Sequence, residues 1–310
     1  MFTQLNRREF LRTAGGFAAL AAPALAQQSQ TFQVGFAPLA GMQSTEKMFW
    51  EACDECAKLG FHYIETDNTR LQIVEAYASR PAAFKEQMNQ RGLTMVGFAQ
   101  SSAMSDPAQR EQVIERNLRV GRFLQAVGGK YITHLFSPRP NPAVPREKVL
   151  ESMSKAEFQD FARTANELGK RLRGETGIRI GYHPEGGDVR TRIFDRILEA
   201  TDPRYFDFWP DAGHLTAGGA NPLEVYKKYR SRMIGTHFKD YDPNIERERN
   251  GRVTKGGFVP LGKGIVNFQP LVAFLKETKF TGHVMGELDG QPEATPVMRD
   301  YFVNTLKLKI

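Results

Sequence analysis

Two stretches place acidic and imidazole groups directly after short apolar runs. The first is Phe206-Asp207-Phe208-Trp209-Pro210-Asp211-Ala212-Gly213-His214, the second Met233-Ile234-Gly235-Thr236-His237-Phe238-Lys239-Asp240. Asp211 and His237 supply an oxygen and a nitrogen, the mixed donor set that suits Mn, Co, Fe or Zn. Either cluster alone reads equally well as polar residues of a surface loop, where Asp and His are common. The pattern recurs, and the recurrence favours a site. Other apolar runs end in or carry Glu65, His134, His183 with Glu185 behind it, and Glu287 with Asp289. Four of the six histidines fall at such ends, whereas His62 and His283 stand at run starts, where a stabilising or solvated role is expected.

Residues so far apart need a scaffold that brings the run ends together. Strand-like segments are Phe32–Phe36, Tyr63–Glu65, Leu93–Phe98, Tyr131–Phe136, Ile178–Tyr182, Phe206–Trp209, Met233–Phe238 and His283–Glu287. Amphipathic, helix-like stretches separate them: Thr45–Leu59, Pro81–Arg91, Ala108–Val127, Lys148–Arg173, Arg190–Ala200, Pro222–Tyr229 and Phe268–Thr278, with Pro296–Leu306 closing the chain. Gly60, Gly92, Gly128-Gly129, Gly177 and Gly282 stand between a helix and the next strand, the helix-stop position. Eight strand–helix alternations predict a single (β/α)8 TIM barrel, whose strand C-termini share one mouth. An open doubly wound sheet would more often carry a glycine-rich fingerprint after its first strand, and Ala37-Pro38-Leu39-Ala40-Gly41 is not one. Two segments exceed short-loop economy. Ser137–Pro145, with four prolines, predicts a rigid extended loop, and Tyr241–Val266 a long binding loop or lid.

With these elements in place, the chain resembles the xylose isomerase-like barrels, which include sugar-phosphate isomerases, ketose 3-epimerases and inosose dehydratases. The resemblance covers most of residues 27–310 and is strongest from Ile178 to Asp289. Asp211-Ala212-Gly213-His214 is similar to the family's strand-six motif and Thr236-His237-Phe238-Lys239-Asp240 to its strand-seven motif. Leu261-Gly262-Lys263-Gly264-Ile265-Val266-Asn267-Phe268 is similar to the segment before the last barrel helix, with Lys263 where Glu is frequent. Gly286-Glu287-Leu288 is similar to the strand-eight end that carries a catalytic, metal-binding glutamate. The resemblance implies one divalent ion (Mn, Co, Mg, Fe or Zn) held by Asp211, His237, Glu287 and a strand-five residue. At that fourth position the chain departs from the family's Glu: it has Tyr182-His183-Pro184-Glu185, so His183 is the favoured ligand and Glu185 the alternative.

The departure bears on mechanism. Epimerases of the family use two glutamates on opposite faces of a sugar, one removing a proton next to a carbonyl and one returning it, while the metal stabilises the enediolate charge. With His183 replacing one of them, Glu287, Glu185 or Lys239 must carry proton transfer. His214, Glu65, His134 and Asp240 are then candidates for contacting the substrate. The resemblance implies a metal-dependent isomerase or epimerase of a non-phosphorylated sugar or polyol ketone. One base plus one acid also suits a dehydratase of a keto-sugar or keto-inositol, and a non-catalytic sugar-binding barrel is the reading from a different class. Gly256-Gly257 and Lys263 could grip a phosphate, but glycine-rich loops serve many other purposes.

The ends and the composition fix the setting. Asn6-Arg7-Arg8-Glu9-Phe10-Leu11-Arg12 is a twin-arginine pattern, followed by a small-residue apolar run from Ala14 to Ala24 and an Ala24-Leu25-Ala26 cleavage site. Residues 1–26 are therefore expected to be a signal peptide read by the Tat export machinery, and residues 27–310 a periplasmic or otherwise exported domain. The run is too short and too rich in Ala and Gly to span a bilayer well, so stable membrane insertion is not expected. The net charge of +7 is spread out, without basic runs interleaved with aromatics, which speaks against nucleic-acid binding. A homo-oligomer is left open. The two cysteines, Cys53 and Cys56, share one helical face and read as buried helix thiols.

Overall fold

A computed structural model describes residues 29–137, 146–249 and 252–310. The twin-arginine segment and residues 138–145 of the proline-rich stretch lie outside the described residues. Among the described residues ten strands follow in order: β1 (Gln33–Ala37), β2 (Tyr63–Asp67), β3 (Thr94–Ser102), β4 (Tyr131–Phe136), β5 (Arg179–His183), β6 (Asp207–Phe208), β7 (Gly235–Phe238), β8 (Asp240–Arg249), β9 (Arg252–Val259) and β10 (His283–Glu287). All but β8 and β9 pair in parallel, in the spatial order β6-β5-β4-β3-β2-β1-β10-β7. The two outer strands meet through isolated bridges, Phe208 with Met233 and Asp211 with His237. Two backbone bonds make that seam: Ile234 N–H donates to the Phe208 carbonyl at 3.2 Å and His237 N–H to the Pro210 carbonyl at 3.0 Å. The result is a single (β/α)8 TIM barrel with helices outside. Its β6 edge is short because Pro210 has no N–H to continue the ladder.

Helices form where an apolar stripe and a cap coincide. Ser154 and Glu157 make a capping box at the start of Lys155–Thr176, with Ser154 N–H donating to the Glu157 carboxylate at 2.8 Å and Glu157 N–H to the Ser154 hydroxyl at 3.3 Å. That box divides the expected Lys148–Arg173 helix in two, the first piece being Arg146–Glu151. Gly177 (φ 71°) closes the longer piece and Gly128 (φ 98°) closes Arg110–Val127, both in the left-handed region. Gly282 does not act as a helix stop: Lys279 takes the positive φ of 48°, and Gly282 is there for room, since a Cβ would lie 2.1 Å from the Ile234 carbonyl oxygen.

The core lies between strands and helices, and a second, smaller cluster fills the barrel itself. Val96, Tyr131, Trp209, Ile234 and Met285 pack there, with the Tyr131 and Trp209 rings 4.0 Å apart, so the barrel is a filled core and not a pore. Cys53 and Cys56 are buried and free on the helix Glu46–Lys58, and burial raises the Cys56 thiol to about 12. The stretch expected as a long loop after β7 is instead a hairpin, β8 antiparallel to β9. It brings Phe258 back over the mouth.

Candidate metal centre

His183 ends β5, Asp211 follows β6, His237 lies within β7 and Glu287 ends β10. One ligand atom from each of these four falls within 4.8 Å of all the others. His183 Nε2 is 2.9 Å from His237 Nδ1 and 3.5 Å from Asp211 Oδ2. His237 Nδ1 is 3.8 Å from Asp211 Oδ2 and 2.6 Å from Glu287 Oε2. Ligand atoms of a tetrahedral site with bonds near ~2.1 Å lie about 3.4 Å apart, so the spread matches a cation-sized gap after small adjustments. Asp211 Oδ2 and Glu287 Oε2 are buried and make no aligned hydrogen bond among the described residues. Buried carboxylate oxygens left this way are costly, and a divalent cation is what they fit. The donor set of two imidazoles and two carboxylates suits Zn, Mn, Fe or Co.

The rest of the cluster is held from behind. Asp211 caps the short helix Ala212–Ala217: its Oδ1 accepts the His214 N–H at 2.7 Å, leaving Oδ2 for the centre. Burial opposes its charge, but His214, His183 and Lys239 outweigh burial and hold the carboxyl at about 2. Burial likewise opposes the charge of Glu287, and His237 and Lys239 keep it ionised well below the usual carboxylate range. The His237 imidazole is raised to about 10, against burial, by Glu287 and Glu65. Lys239 Nζ lies 3.1 Å from Glu287 Oε1 and 3.0 Å from Asp289 Oδ2. Burial disfavours its charge, but these carboxylates and Asp211 raise its pKa, so it stands in the site as an ammonium.

Above the cluster opens a cavity of about 690 Å³. Glu65, Glu185, His214 and Lys239 line it, as do Gly256 and Gly257. Glu185 is on the wall and outside the four-residue cluster, whereas His183 is one of the four. His214 accepts the Gly186 N–H at Nδ1 (3.1 Å), which leaves Nε2 to carry the ring proton. Burial, with Lys239 and His183, lowers His214 to about 3 despite Asp211, so it is a neutral N–H donor.

Two expected substrate contacts are elsewhere. In β4, Tyr131, Thr133 and Leu135 point into the barrel, so the period-two alternation turns His134 outward to the helix layer, where Arg116 is a charge neighbour. Asp240 is buried and accepts four backbone N–H groups, from Tyr241 (2.8 Å), Gly262 (2.9 Å), Gly264 (2.9 Å) and Val266 (3.0 Å), so it organises the return of the hairpin. Lys263 is exposed and does not line the cavity. The wall also holds residues with no role assigned from the sequence. Asp289, the strand-end acid two residues past Glu287, is one, and it pairs with Lys239. Phe258 packs on the His214 ring at 4.6 Å and under the Lys239 ammonium at 4.7 Å. Asp67, which ends β2, and Arg70, just beyond it, complete the far wall.

The fold is shared with known proteins. It belongs to the xylose isomerase-like TIM barrel family, whose model matches residues 53–301. Relatives in that family are enzymes. The inosose dehydratase of Geobacillus kaustophilus (strain HTA426) is 24% identical over 286 residues, covering 84% of this chain and 88% of that protein. A sugar phosphate isomerase/epimerase from Parabacteroides distasonis superposes with a TM-score of 0.67 at 17% identity, over 93% of this chain and 99% of that one. The IolI protein, solved with a bound zinc atom, superposes with a TM-score of 0.64 at 16% identity, over 89% and 98%.

Proposed function

We propose that the chain is a divalent-metal-dependent enzyme that removes a proton next to the carbonyl of a non-phosphorylated keto-sugar or keto-polyol, with loss of water as the outcome. The observation that carries this reading is the cluster of His183, Asp211, His237 and Glu287 at the floor of a polar cavity. A divalent ion bound there would supply Lewis acidity beside the carbonyl. Around it the chain's own groups divide the work. Glu287 takes the proton and returns it to the departing hydroxyl, which leaves as water; Lys239 offers its ammonium to the oxygen on which charge develops, and His214 gives an Nε2–H hydrogen bond to a second oxygen or to that hydroxyl.

The substrate class follows from charge. Glu65, Asp67, Glu185, Glu287 and Asp289 face the cavity against Arg70, Lys239 and the His237 imidazole, which Glu287 and Glu65 already hold. Lys239 is paired with Glu287 and Asp289, and Arg70 is wholly buried, bonded to Asp67 and to the carbonyls of Pro38, Leu39 and Met42. A phosphate dianion would find no uncommitted cation there among the described residues. Export through the twin-arginine segment, which we also propose, agrees, since sugar phosphates are made and kept inside cells.

Water loss is favoured over isomerisation because His183 occupies the place of the second glutamate, and because the relative in Geobacillus is named for dehydration of an inosose. Isomerisation or epimerisation is the second reading, supported by Glu185 on the cavity wall, a carboxylate able to return a proton from another side. Turnover of keto-inositols and ketoses by metal-loaded protein in deuterium oxide, followed by mass spectrometry, separates the readings. Dehydration gives a product lighter by one water, epimerisation an isomer carrying deuterium next to the carbonyl. Glu287→Gln is expected to lower the rate by about two to four orders of magnitude. Isomeric product without carbon-bound deuterium would sink the proton-transfer mechanism, and a slow Glu185→Gln beside an active Glu287→Gln would move the base to Glu185.

A further inference from the structure

We infer that Glu65 is a positioning residue that fixes His237 as a metal ligand, and that the β2–β3–β4 region is built to hold it there. The inference rests on the metal reading above. Glu65 lies at the cavity floor, 1% exposed, and both its oxygens are engaged inside the protein. Tyr131 donates its hydroxyl to Oε2 at 2.8 Å, Thr133 donates to Oε1 at 3.1 Å, and His237 Nε2 is 3.3 Å from Oε2. The other nitrogen of the same ring, Nδ1, is the atom that points to His183, Asp211 and Glu287. Glu65 therefore accepts from Nε2–H and keeps the proton on that side of the ring, so that a cation displacing the Nδ1 proton would meet the Nδ1 lone pair. A carboxylate in that place orients a histidine ligand and raises its basicity.

The backbone serves the same end. The β2–β3 register shifts between Ile64 and Glu65: Ile64 pairs with Met95, but Glu65 pairs with Gly97, so Val96 is bulged out. Bulges re-aim side chains, and this one falls at the residue that reaches His237. Gly97, opposite Glu65, leaves the space that Tyr131 fills, since a Cβ there would lie 2.1 Å from the Tyr131 ring and 2.6 Å from its hydroxyl. Bulge, glycine and tyrosine thus converge on one carboxylate.

The test is a titration of purified metal-free protein with Zn²⁺ against a chelator, repeated with Co²⁺ to read its visible absorption, with no substrate present. Glu65→Gln is expected to weaken Zn²⁺ binding about 10- to 100-fold and to shift the Co²⁺ bands, with the melting temperature of the metal-free protein little changed. Tyr131→Phe, which removes only the hydroxyl, and Gly97→Ala, which displaces the ring, are expected to weaken it in the same direction. A residue that only contacted substrate would leave both metal readouts at the wild-type value, and that result overturns the inference while the metal reading stands. Wild type that binds no Zn²⁺ overturns both. Should Glu65→Gln not fold, Tyr131→Phe decides: unchanged Zn²⁺ affinity overturns the inference, and weakened affinity with unchanged melting supports it.

Discussion

Single residues show both how far local pattern reaches and where it stops. Asp211, His237 and Glu287 were legible because each sits at a strand end in a short motif, and strand ends of a barrel converge whatever the loops do. His134 was misplaced because its strand was read for its end and not for its alternation. With Tyr131 and Thr133 facing Glu65, a period of two sends His134 to the other face. Its ring nitrogens find no hydrogen-bond partner among the described residues, and burial, with Arg116 adding to it, lowers its pKa to about 3. The folded pKa is depressed below that of a free imidazole, so below about pH 6.5 the unfolded chain takes up a proton that the folded chain refuses. His134 therefore subtracts stability as pH falls from about 6.5 towards 3, by up to about 1.4 kcal/mol per pH unit. His134→Phe is expected to flatten that acid-side slope by about one proton, read from urea unfolding at pH 5 and 7. An unchanged slope would show that the imidazole finds a proton acceptor in the fold.

Among the elements, those with a clean period and a cap were legible, and those made by long-range bonds were not. The eight barrel strands and the helix Pro222–Tyr229 stand where expected. The β8–β9 hairpin does not, because Asp240–Val259 mixes charge with paired glycines and carries weak strand propensity. Asp240 is the residue that holds its base, and no sequence spacing announces an aspartate bonded to amides more than twenty residues ahead. Asp240→Ala is expected to destabilise the fold by roughly 3 kcal/mol, since several N–H groups lose their acceptor in a buried place. Phe258, carried back by the same hairpin, covers His214 and Lys239. If it forms a face on which the substrate's C–H edge rests, Phe258→Ala raises KM several-fold and leaves Zn²⁺ affinity unchanged. An unaltered KM would remove Phe258 from the binding surface.

For the whole molecule, the alternation of strand and helix was enough to specify the barrel, but not how its ring is completed. Seven of the eight junctions are pairings within the sheet, and the last is two isolated bridges. One of those bridges joins Asp211 to His237, so two proposed ligands for the ion are also the pair that closes the ring. The ion would then act as a clasp on that joint, and its loss would be felt as a local opening long before the fold as a whole gave way. An excess of metal one hundred times above Kd adds about 2.7 kcal/mol to the closed state. Hydrogen–deuterium exchange reads this directly: on adding a chelator, the amides of Ile234 and His237 should exchange faster, roughly 100-fold for that energy, while amides in the β3–β4 ladder on the far side keep their protection. Uniform acceleration around the ring would mean that the barrel opens only as one body. A selective response at the seam would make the proteolytic lifetime of the protein, wherever it resides, a readout of local metal supply.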